Sequence, residues 1–287
     1  MDLTRFRVRP GRKVQLSRWK TSDTRPFASR AEADGDLADS VRQLADLQEK
    51  LYAQDRWSVL LLLQAMDAAG KDGTIEHVMR GLNPQGCEVY SFKVPSAEEM
   101  DHDFLWRAHK VMPRRGHIGV FNRSYYEDVL AVRVHPEILA AQKLPPRLVG
   151  KSMWNDRFDD INAFERYLAR NGTVLVKCFL HVSKDEQLDR LMARLKEPAK
   201  QWKFSEDDIE KRKHWKDYQR AYESMLTATS TRHAPWHVVP ADEKWFTRLT
   251  VARLLVEAML QLELAFPVLT AAEKRRLDAI RLGLEGA

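Results

Sequence analysis

Cysteine, glycine and proline are all scarce in this 287-residue chain. The two cysteines, Cys87 and Cys178, lie in separate apolar stretches without the spacing of metal ligands, which favours a reduced, cytoplasmic compartment. With only 12 glycines and 12 prolines beside 44% hydrophobic residues, a disordered or fibrous protein is excluded. The length allows one large domain or two small ones.

Long apolar runs are also missing. The longest, VLLLLQAM, is far too short to cross a bilayer, and the basic N-terminus has no apolar centre of the kind that a secretory signal needs. We therefore expect a soluble cytoplasmic protein with no membrane partner.

Positive charge, in contrast, is plentiful and clustered. The net charge is +6, and basic residues concentrate at 107–117 and 196–216. Such clusters attract polyanions, whether nucleic acid, anionic lipid or polyphosphate. In 206–216 the lysines alternate with acids, a pattern that is equally typical of a solvated helix face.

Apolar strand-like runs alternate with amphipathic stretches along the chain, which predicts an α/β fold with a central parallel sheet and helices on both faces. We expect a basic N-terminal arm over 1–30 and one domain over 31–287, with a helical lid at about 194–216. The predicted strands are 57–65, 87–94, 116–122, 173–182 and 236–240. The predicted helices include 31–54, 72–80, 96–112, 184–195 and 206–228.

The sequence DAAGKDGT (67–74) joins the most apolar strand to a helix and has the composition of a phosphate-binding loop. Small residues allow a tight turn whose backbone amides face one anion, and the helix N-terminus and Lys71 add positive charge. The usual loop, however, has glycine where this chain has Ala65, and Ser or Thr where it has Asp72.

Two carboxylates, Asp67 and Asp72, flank this lysine and would repel a phosphate unless a metal lies between them. Mg²⁺ prefers one or two carboxylates together with phosphate oxygens and water, so these residues are candidate metal or acceptor-positioning groups. Asp72 is also an ordinary acid for the first turn of a helix. Asp67 lies inside the loop and has no such alternative.

A second candidate site follows the strand GVFN, whose carboxyl end releases Asn122 and Arg123. In many phosphate-loop enzymes an aspartate in this place holds the metal. An arginine here can stabilise a phosphoryl group in transfer, although Arg123 could instead pair with Glu127 or Asp128.

The lid prediction depends on the basic segment RLKEPAKQWKFSEDD (194–208). A proline separates two helices, and Lys196, Lys200 and Lys203 lie on a short loop between them. Ser205 followed by Asp208 resembles a capping box at the start of the second helix. Charge on such a loop could close over a phosphate and exclude water.

Together, MDAAGKDGT, NPQG, FNRSYYEDVL and EPAKQWK resemble the family-2 polyphosphate kinases over about residues 30–265. The segment 91–110 is similar to the subgroup called class III, which phosphorylates AMP and ADP. The resemblance implies a three-layer P-loop kinase fold, Mg²⁺ (with Mn²⁺ as an alternative) and a homodimer or homotetramer. The family often has Asp where this chain has Asn122.

The resemblance also implies roles for individual residues. The implied catalytic residues are Asp67 (also the metal ligand), Lys71, Asn122 and Arg123. The implied phosphate- or nucleotide-binding residues are Ala68, Ala69, Gly70, Asp72, Gly73, Thr74, Asn83, Glu127 and Arg133. The implied polyphosphate-binding residues of the lid are Arg190, Arg194, Lys196, Lys200 and Lys203.

The implied reaction is transfer of a terminal phosphoryl group from inorganic polyphosphate to AMP or ADP, with ATP as product or reverse substrate and guanine nucleotides as further candidates. Two alternatives remain open at this point. One is a nucleoside monophosphate kinase that uses ATP as donor. The other is a polyanion- or nucleic-acid-binding protein, which the absence of a base-stacking motif or recognition helix disfavours.

Overall fold

A computed structural model describes residues 1–285. Its centre is a parallel five-stranded sheet with the strand order β2-β3-β1-β4-β5. The strands are β1 Ser58–Ala65, β2 Cys87–Ser91, β3 Ile118–Asn122, β4 Thr173–His181 and β5 Trp236–Pro240. All five predicted strands are present, although β2 ends three residues early.

Residues 1–285 form thirteen α-helices in addition to the sheet. They are α1 Arg30–Gln54, α2 Lys71–Met79, α3 Ala97–Met100, α4 Trp106–His109, α5 Ala131–Val134, α6 Pro136–Ala141, α7 Met153–Arg170, α8 Lys184–Lys196, α9 Pro198–Gln201, α10 Glu206–Lys213, α11 Trp215–Thr229, α12 Lys244–Leu260 and α13 Ala271–Glu285. Within residues 1–285, none of them is long and apolar enough to cross a membrane.

The strand β1 lies in the middle of the sheet, and every one of its residues is buried there. Its run of apolar residues suits this position. It pairs with β3 on one side and β4 on the other, with Leu63 opposite both Asn122 and Cys178. The carboxyl ends of these strands therefore meet at one edge. The neighbouring strands β1 and β3 connect in opposite directions, β1 to β2 and β3 to β4. Such a reversal opens a crevice at the carboxyl edge, where ligands bind in open α/β sheets.

The helices form two layers. The helices α1, α2 and α12 pack together, and α2 and α12 also contact the sheet. The helices α7 and α11 pack against each other, with α7 also against β4. The predicted three-layer α/β architecture is confirmed.

Two predicted helices are each broken into two. The range 96–112 holds α3 and α4, because the Asp103 side chain accepts a hydrogen bond from the Leu105 amide at 2.9 Å and forms a turn. The range 206–228 holds α10 and α11, which are separated at His214.

The N-terminal arm is less irregular than its composition indicates. It contains two short 3-10 helices, and apolar side chains such as Phe6 and Leu16 are buried in the core. The amide of Val8 donates to the Trp236 carbonyl at 2.8 Å, and Arg7 bridges to His237. The arm therefore pairs with β5 and protects the edge of the sheet.

A fully buried ion pair connects β4 to α7. Lys177 Nζ lies 2.6 Å from Glu165 Oε2, and both side chains are 0% exposed. The hydroxyls of Tyr125 and Tyr126 donate to Glu165 Oε1 at 2.9 and 2.6 Å, and Lys177 also donates to the Thr229 carbonyl. The pair thereby anchors the segment that directly follows Arg123.

We expect Lys177→Met to lower the free energy of unfolding by about 3–5 kcal/mol, because it leaves the Glu165 carboxylate buried without its cation. The double change Lys177→Met with Glu165→Gln removes both charges and keeps an acceptor for the tyrosine hydroxyls, so it should recover most of the loss. Urea unfolding measures both.

The exposed pair Arg220–Asp217 serves as the control, since its side chains are 76% and 53% exposed. Arg220→Ala should change the free energy of unfolding by less than about 0.5 kcal/mol. If the double variant Lys177→Met with Glu165→Gln is no more stable than Lys177→Met alone, the loss of stability does not come from the uncompensated charge of Glu165.

Candidate active site

The phosphate loop (residues 66–70) connects β1 to α2 and has an unusual backbone. Ala68 and Gly70 both adopt the left-handed conformation, with φ of 61° and 105°. The first amides of a helix have no acceptor within it, so those that open α2 face the space beyond the carboxyl end of β1. The local geometry is that of an anion site.

The carbonyl groups of the loop are held by two cations. Lys71 Nζ donates to the Ala65 and Met66 carbonyls at 3.1 and 3.3 Å. Arg190 Nη1 donates to the Ala68 and Ala69 carbonyls at 3.2 and 2.7 Å. These four bonds fix the backbone of the loop.

Asp67 is the central carboxylate of the site. Arg123 Nη2 forms a short ion pair with Asp67 Oδ1, and Lys211 Nζ lies 3.6 Å from Oδ2. Burial alone would raise the pKa of Asp67, but the charges of Arg123, Lys71 and Lys211 outweigh it and hold that pKa below its ordinary value. Asp67 therefore stays ionised, although only 11% of its side chain is exposed.

The turn after β3 brings two further predicted residues to the loop. Asn122 Nδ2 donates to Asp72 Oδ1 at 2.6 Å, which joins the end of β3 to the first turn of α2. Arg123 adopts the left-handed conformation, with φ of 61°, and its Nη1 lies 3.6 Å from Glu127 Oε2. The structure thus brings Asp67, Asp72, Asn122 and Arg123 together.

The lid segment (residues 194–216) consists of the end of α8, α9, α10 and the start of α11. Arg194 Nη1 donates to Asp208 Oδ2 at 2.6 Å, a bond between α8 and α10. The predicted capping box is wrong, because the Ser205 side chain makes no capping bond and Asp208 is taken by Arg194. Lys211 of α10 is the lid cation at Asp67.

Lys211 was missed by the sequence reasoning. Acids and bases alternate around it, and it also pairs with Asp207 four residues earlier at 2.7 Å, as in a solvated helix. Sequence spacing predicts that local pair but not the contact with Asp67, which depends on how the lid folds back. The one usable signal is the clustering of bases in 211–216.

The three predicted lid lysines lie on the surface. Lys196, Lys200 and Lys203 are exposed, on or beside the short helix α9 that replaces the predicted loop. Lys200 Nζ lies 2.5 Å from Glu197, and Lys203 Nζ lies 4.9 Å from the ring centre of Trp202. They do not contact Asp67.

Arg190 differs from its predicted role in the lid. It is buried in α8 and donates to five partners: Glu186, the Ala68 and Ala69 carbonyls, and the Ala241 and Asp242 carbonyls. A guanidinium has five N–H groups, so none is left for a phosphate. Arg190 is part of the scaffold of the loop, because α8 packs there before the lid begins.

Asn83 is a second correction. Its side chain accepts from the Gln85 amide, and its backbone bonds to Gln48 of α1. Asn83 precedes β2, whose first residue pairs with the first residue of β3, so it lies at the amino edge of the sheet, opposite the loop. NPQG is therefore a turn that positions β2.

The remaining predicted residues are placed as follows. Thr74 Oγ1 donates to the Gly70 carbonyl at 2.9 Å and stabilises the first turn of α2, in which Gly73 also lies. The Arg133 guanidinium lies 5.6 Å from the ring centre of Trp154, and burial lowers its pKa. Arg133 is not in contact with Asp67.

A cavity of about 680 Å³ opens among the segments that follow β2 and β3. Its lining includes Phe104, Arg107, Gln142 and Arg157, together with six carboxylates. These carboxylates are Glu99, Asp101, Asp103, Asp128, Asp156 and Asp160. Burial raises the pKa of Asp128 to about 6, against the opposing charge of Arg157. The cavity has the size of a small-molecule pocket.

Within residues 1–285, no three His, Cys, Asp or Glu side chains are placed so that they could hold a metal ion together. Asp67 and Asp72 are nevertheless compatible with Mg²⁺, which takes one or two carboxylates and completes its shell with phosphate oxygens and water. The donor set thus fits a metal that arrives with a phosphate ligand.

Comparison with known proteins supports this interpretation. The family model of Polyphosphate kinase 2 matches residues 28–266. An ADP-polyphosphate phosphotransferase of Rhodopseudomonas palustris is 50% identical, with 96% of each chain covered. An AMP/ADP-polyphosphate phosphotransferase of Meiothermus ruber is 45% identical, with 95% of this chain and 98% of the relative covered.

The fold has a similar match among solved structures. The crystal structure of Polyphosphate Kinase 2 from Arthrobacter aurescens TC1 aligns with a TM-score of 0.86 at 41% identity. The alignment covers 96% of this chain and 95% of that one. The expected P-loop kinase-like fold is confirmed.

The charge of Lys71 generates a prediction about pH. Burial, with the positive charge of Arg123, lowers the pKa of the Lys71 ammonium to about 8. The cation is present below that pKa and is lost above it, so affinity for a tripolyphosphate probe should fall as pH rises through about 8. Lys71→Arg stays protonated and should not show this fall.

Titration calorimetry of tripolyphosphate at a series of pH values measures this dependence. Each protein is compared with itself, so a lower overall affinity of Lys71→Arg does not affect the result. An equal fall in affinity for both proteins would assign the titration to another group.

Proposed function

The chain belongs to the polyphosphate kinase 2 family, and we propose that it transfers the terminal phosphoryl group of inorganic polyphosphate to AMP and ADP. The observation that carries the proposal is the carboxylate of Asp67 with cations from three separate elements around it. A site of this kind exchanges one anion for another. Phosphate groups of donor and acceptor would take over the cations that Asp67 now engages.

The donor end would bind at the phosphate loop. The amides at the start of α2 and Lys71 would hold its phosphates, and Lys211 would contact them from the lid. The nucleotide would occupy the 680 Å³ cavity beside the carboxyl ends of β2 and β3. Its carboxylates and Gln142 can accept hydrogen bonds from the amino group of a base, while Arg107 and Arg157 supply positive charge.

In the transfer, an anionic oxygen of the acceptor phosphate bonds to the terminal phosphorus, and the bond from that phosphorus to its bridging oxygen breaks. The shortened polyphosphate leaves with the electron pair of the broken bond. The acceptor oxygen is already ionised at neutral pH, so no strong base is needed. Positioning and neutralisation of charge carry the rate enhancement.

Arg123 would stabilise the phosphoryl group during transfer, because its guanidinium is already directed at the loop. Asp67 would hold Mg²⁺, or Mn²⁺ as an alternative, which supplies further charge neutralisation when bound. Arg123 would then have to exchange Asp67 for a phosphate oxygen. The segment anchored by Lys177 and Glu165 holds the backbone of Arg123 during this exchange.

The neutral side chain of Asn122 bears on the choice of acceptor. AMP and ADP differ in negative charge. The Asn122 amide, which donates to Asp72, adds no charge of its own that would favour one nucleotide over the other. One site could therefore accept either nucleotide. One relative carries ADP alone in its name and another carries both nucleotides.

The comparisons favour neither alternative function. A monophosphate kinase would require ATP as donor, and a nucleic-acid-binding protein would need no enzymatic site. Three further points stay predictions: guanine nucleotides as acceptors, a homodimer or homotetramer, and a cytoplasmic location. The free thiols of Cys87 and Cys178 are compatible with the last of these.

The proposed function is tested by incubating the protein with AMP, Mg²⁺ and polyphosphate without ATP, followed by separation of the nucleotides. ADP and ATP should form. Lys71→Ala and Asp67→Asn should each lower kcat by about 10²–10⁴-fold, because both act on charge that moves during transfer. Thermal unfolding serves as the control for folding.

A wild-type protein that makes ADP from AMP only when ATP is supplied would overturn the proposal in favour of a monophosphate kinase. If the kcat of each variant stays within tenfold of the wild-type kcat, the loop is not part of the catalytic site.

The lid supplies a second test of the site. Lys211→Ala should lower kcat and raise the KM for polyphosphate, because Lys211 reaches Asp67. The double change Lys200→Ala with Lys203→Ala should raise the KM for polyphosphate and flatten its salt dependence, with little effect on the KM for AMP.

Steady-state kinetics at two ionic strengths separates these effects. Since Lys200 and Lys203 are exposed, their contribution is expected to be smaller than that of Lys211. If Lys211→Ala leaves kcat unchanged while the double variant lowers it, the lid must adopt another arrangement during catalysis.

A further inference from the structure

A small cavity outside the site described above lies among α1, α2 and the first turns of α12. Its volume is about 130 Å³, which is room for several water molecules and hence for an anion of that size. Three arginines and one histidine border it, with a single acid. We call Arg30, His77, Arg80 and Arg248 the rear cation cluster.

Arg248 is the best-defined member of the rear cation cluster. A Cβ atom at Gly73 would lie 3.2 Å from Arg248 Nη2, so the glycine lets the guanidinium approach the first turn of α2. Within residues 1–285, no hydrogen bond or ion pair engages this half-buried guanidinium. An arginine with five donors that is held against a helix without an acceptor is suited to an anion.

His77 adds a second group without a partner. Its Nε2 atom is buried and has no hydrogen-bond partner in the described chain. Burial lowers the pKa of the ring, and the charges of Arg248, Arg80 and Arg30 act in the same direction. The three arginines line the same cavity as His77, so all four side chains can act on one bound ligand.

The one acid of the cavity does not neutralise the cluster. Glu76 lies 3.7 Å from Arg80, and their side chains are 75% and 70% exposed, so this pair is weak. Arg30 pairs with Asp34, again at an exposed position, and has no other ion pair within residues 1–285. A net positive charge remains at the cavity.

Lys244 is a further cation near the rear cation cluster. It begins α12 four residues before Arg248, so the two side chains are neighbours on the surface of that helix. Burial lowers the pKa of its ammonium, and the charges of Arg190, Lys200 and Arg248 contribute to the decrease.

We propose that the rear cation cluster is a second phosphate-binding site, which holds phosphates of a long polyphosphate chain remote from the one in transfer. This rests on the proposed function, since the ligand is the same donor. A chain with a charge at every phosphate can engage two separated cation sites at once, and the second contact raises affinity without entering the chemistry. A donor too short to reach from one site to the other gains nothing from the second contact.

The test removes two cations of the cluster with Arg80→Gln and Arg248→Gln. The matched control is Arg42→Gln with Arg220→Gln, which removes the same charge at positions that are each 76% exposed. The kinetic constants kcat and KM are measured with AMP for long-chain polyphosphate and for the shortest polyphosphate that the wild type uses.

We expect the cluster variant to raise the KM for long chains about threefold to tenfold and to flatten its dependence on salt. Its kcat and its KM for the short donor should equal those of the control. An equal rise of KM for both donors, or no difference from the control variant, would overturn the second site. The proposed function would still stand in that case, because the protein remains active with polyphosphate.

Free orthophosphate is the other ligand with phosphate oxygens that could bind the rear cation cluster. Calorimetry with inorganic phosphate alone distinguishes it: binding that the cluster variant loses, with the KM for long chains unchanged, would overturn the assignment to the donor chain. A wild type that uses no polyphosphate of any length would overturn the proposed function itself.

Discussion

One largely buried carboxylate sets the geometry of the site. Asp67 lies where burial disfavours its charge, and it stays ionised because Arg123, Lys71 and Lys211 surround it. These cations come from the turn after β3, the first residue of α2 and the lid. The compensation therefore joins three elements that are far apart in sequence. A phosphate that enters competes with Asp67 for the same cations.

Two groups of buried hydrogen bonds support the backbone around the site. Arg190 fixes the loop through its carbonyl groups, and the pair Lys177–Glu165 fixes the backbone after Arg123 through two tyrosines. Arg190, Lys177 and Glu165 are all buried, and each makes several hydrogen bonds. Buried polar groups of this kind are expensive unless every partner is present.

The sequence predicts what depends on local pattern. Five apolar strands, the turn at Gly70 and the position of Asn122 and Arg123 at the end of β3 all follow from periodicity and from the geometry of parallel sheets. Contacts between distant elements do not. Arg190 and Lys211 resemble ordinary helical charges, and only tertiary packing makes the first a scaffold residue and the second a residue of the site. Asn83 was misplaced because a family motif does not reveal which edge of the sheet it occupies.

Arg190 also determines how the lid can move. Its five hydrogen bonds hold α8 in place, whereas Arg194, one turn later, already bonds within the lid. Bending of the lid is therefore expected after Arg190 and, at the far end, near His214, where α10 gives way to α11. Arg212 of α10 also donates to the Lys184 carbonyl and to Gln187 Oε1 of α8, so these bonds must break when the lid moves. A segment with two fixed ends and an internal ion pair behaves as a preformed flap and not as a disordered loop. Much of its conformational entropy is already lost when the chain folds, and closure over a substrate loses correspondingly less.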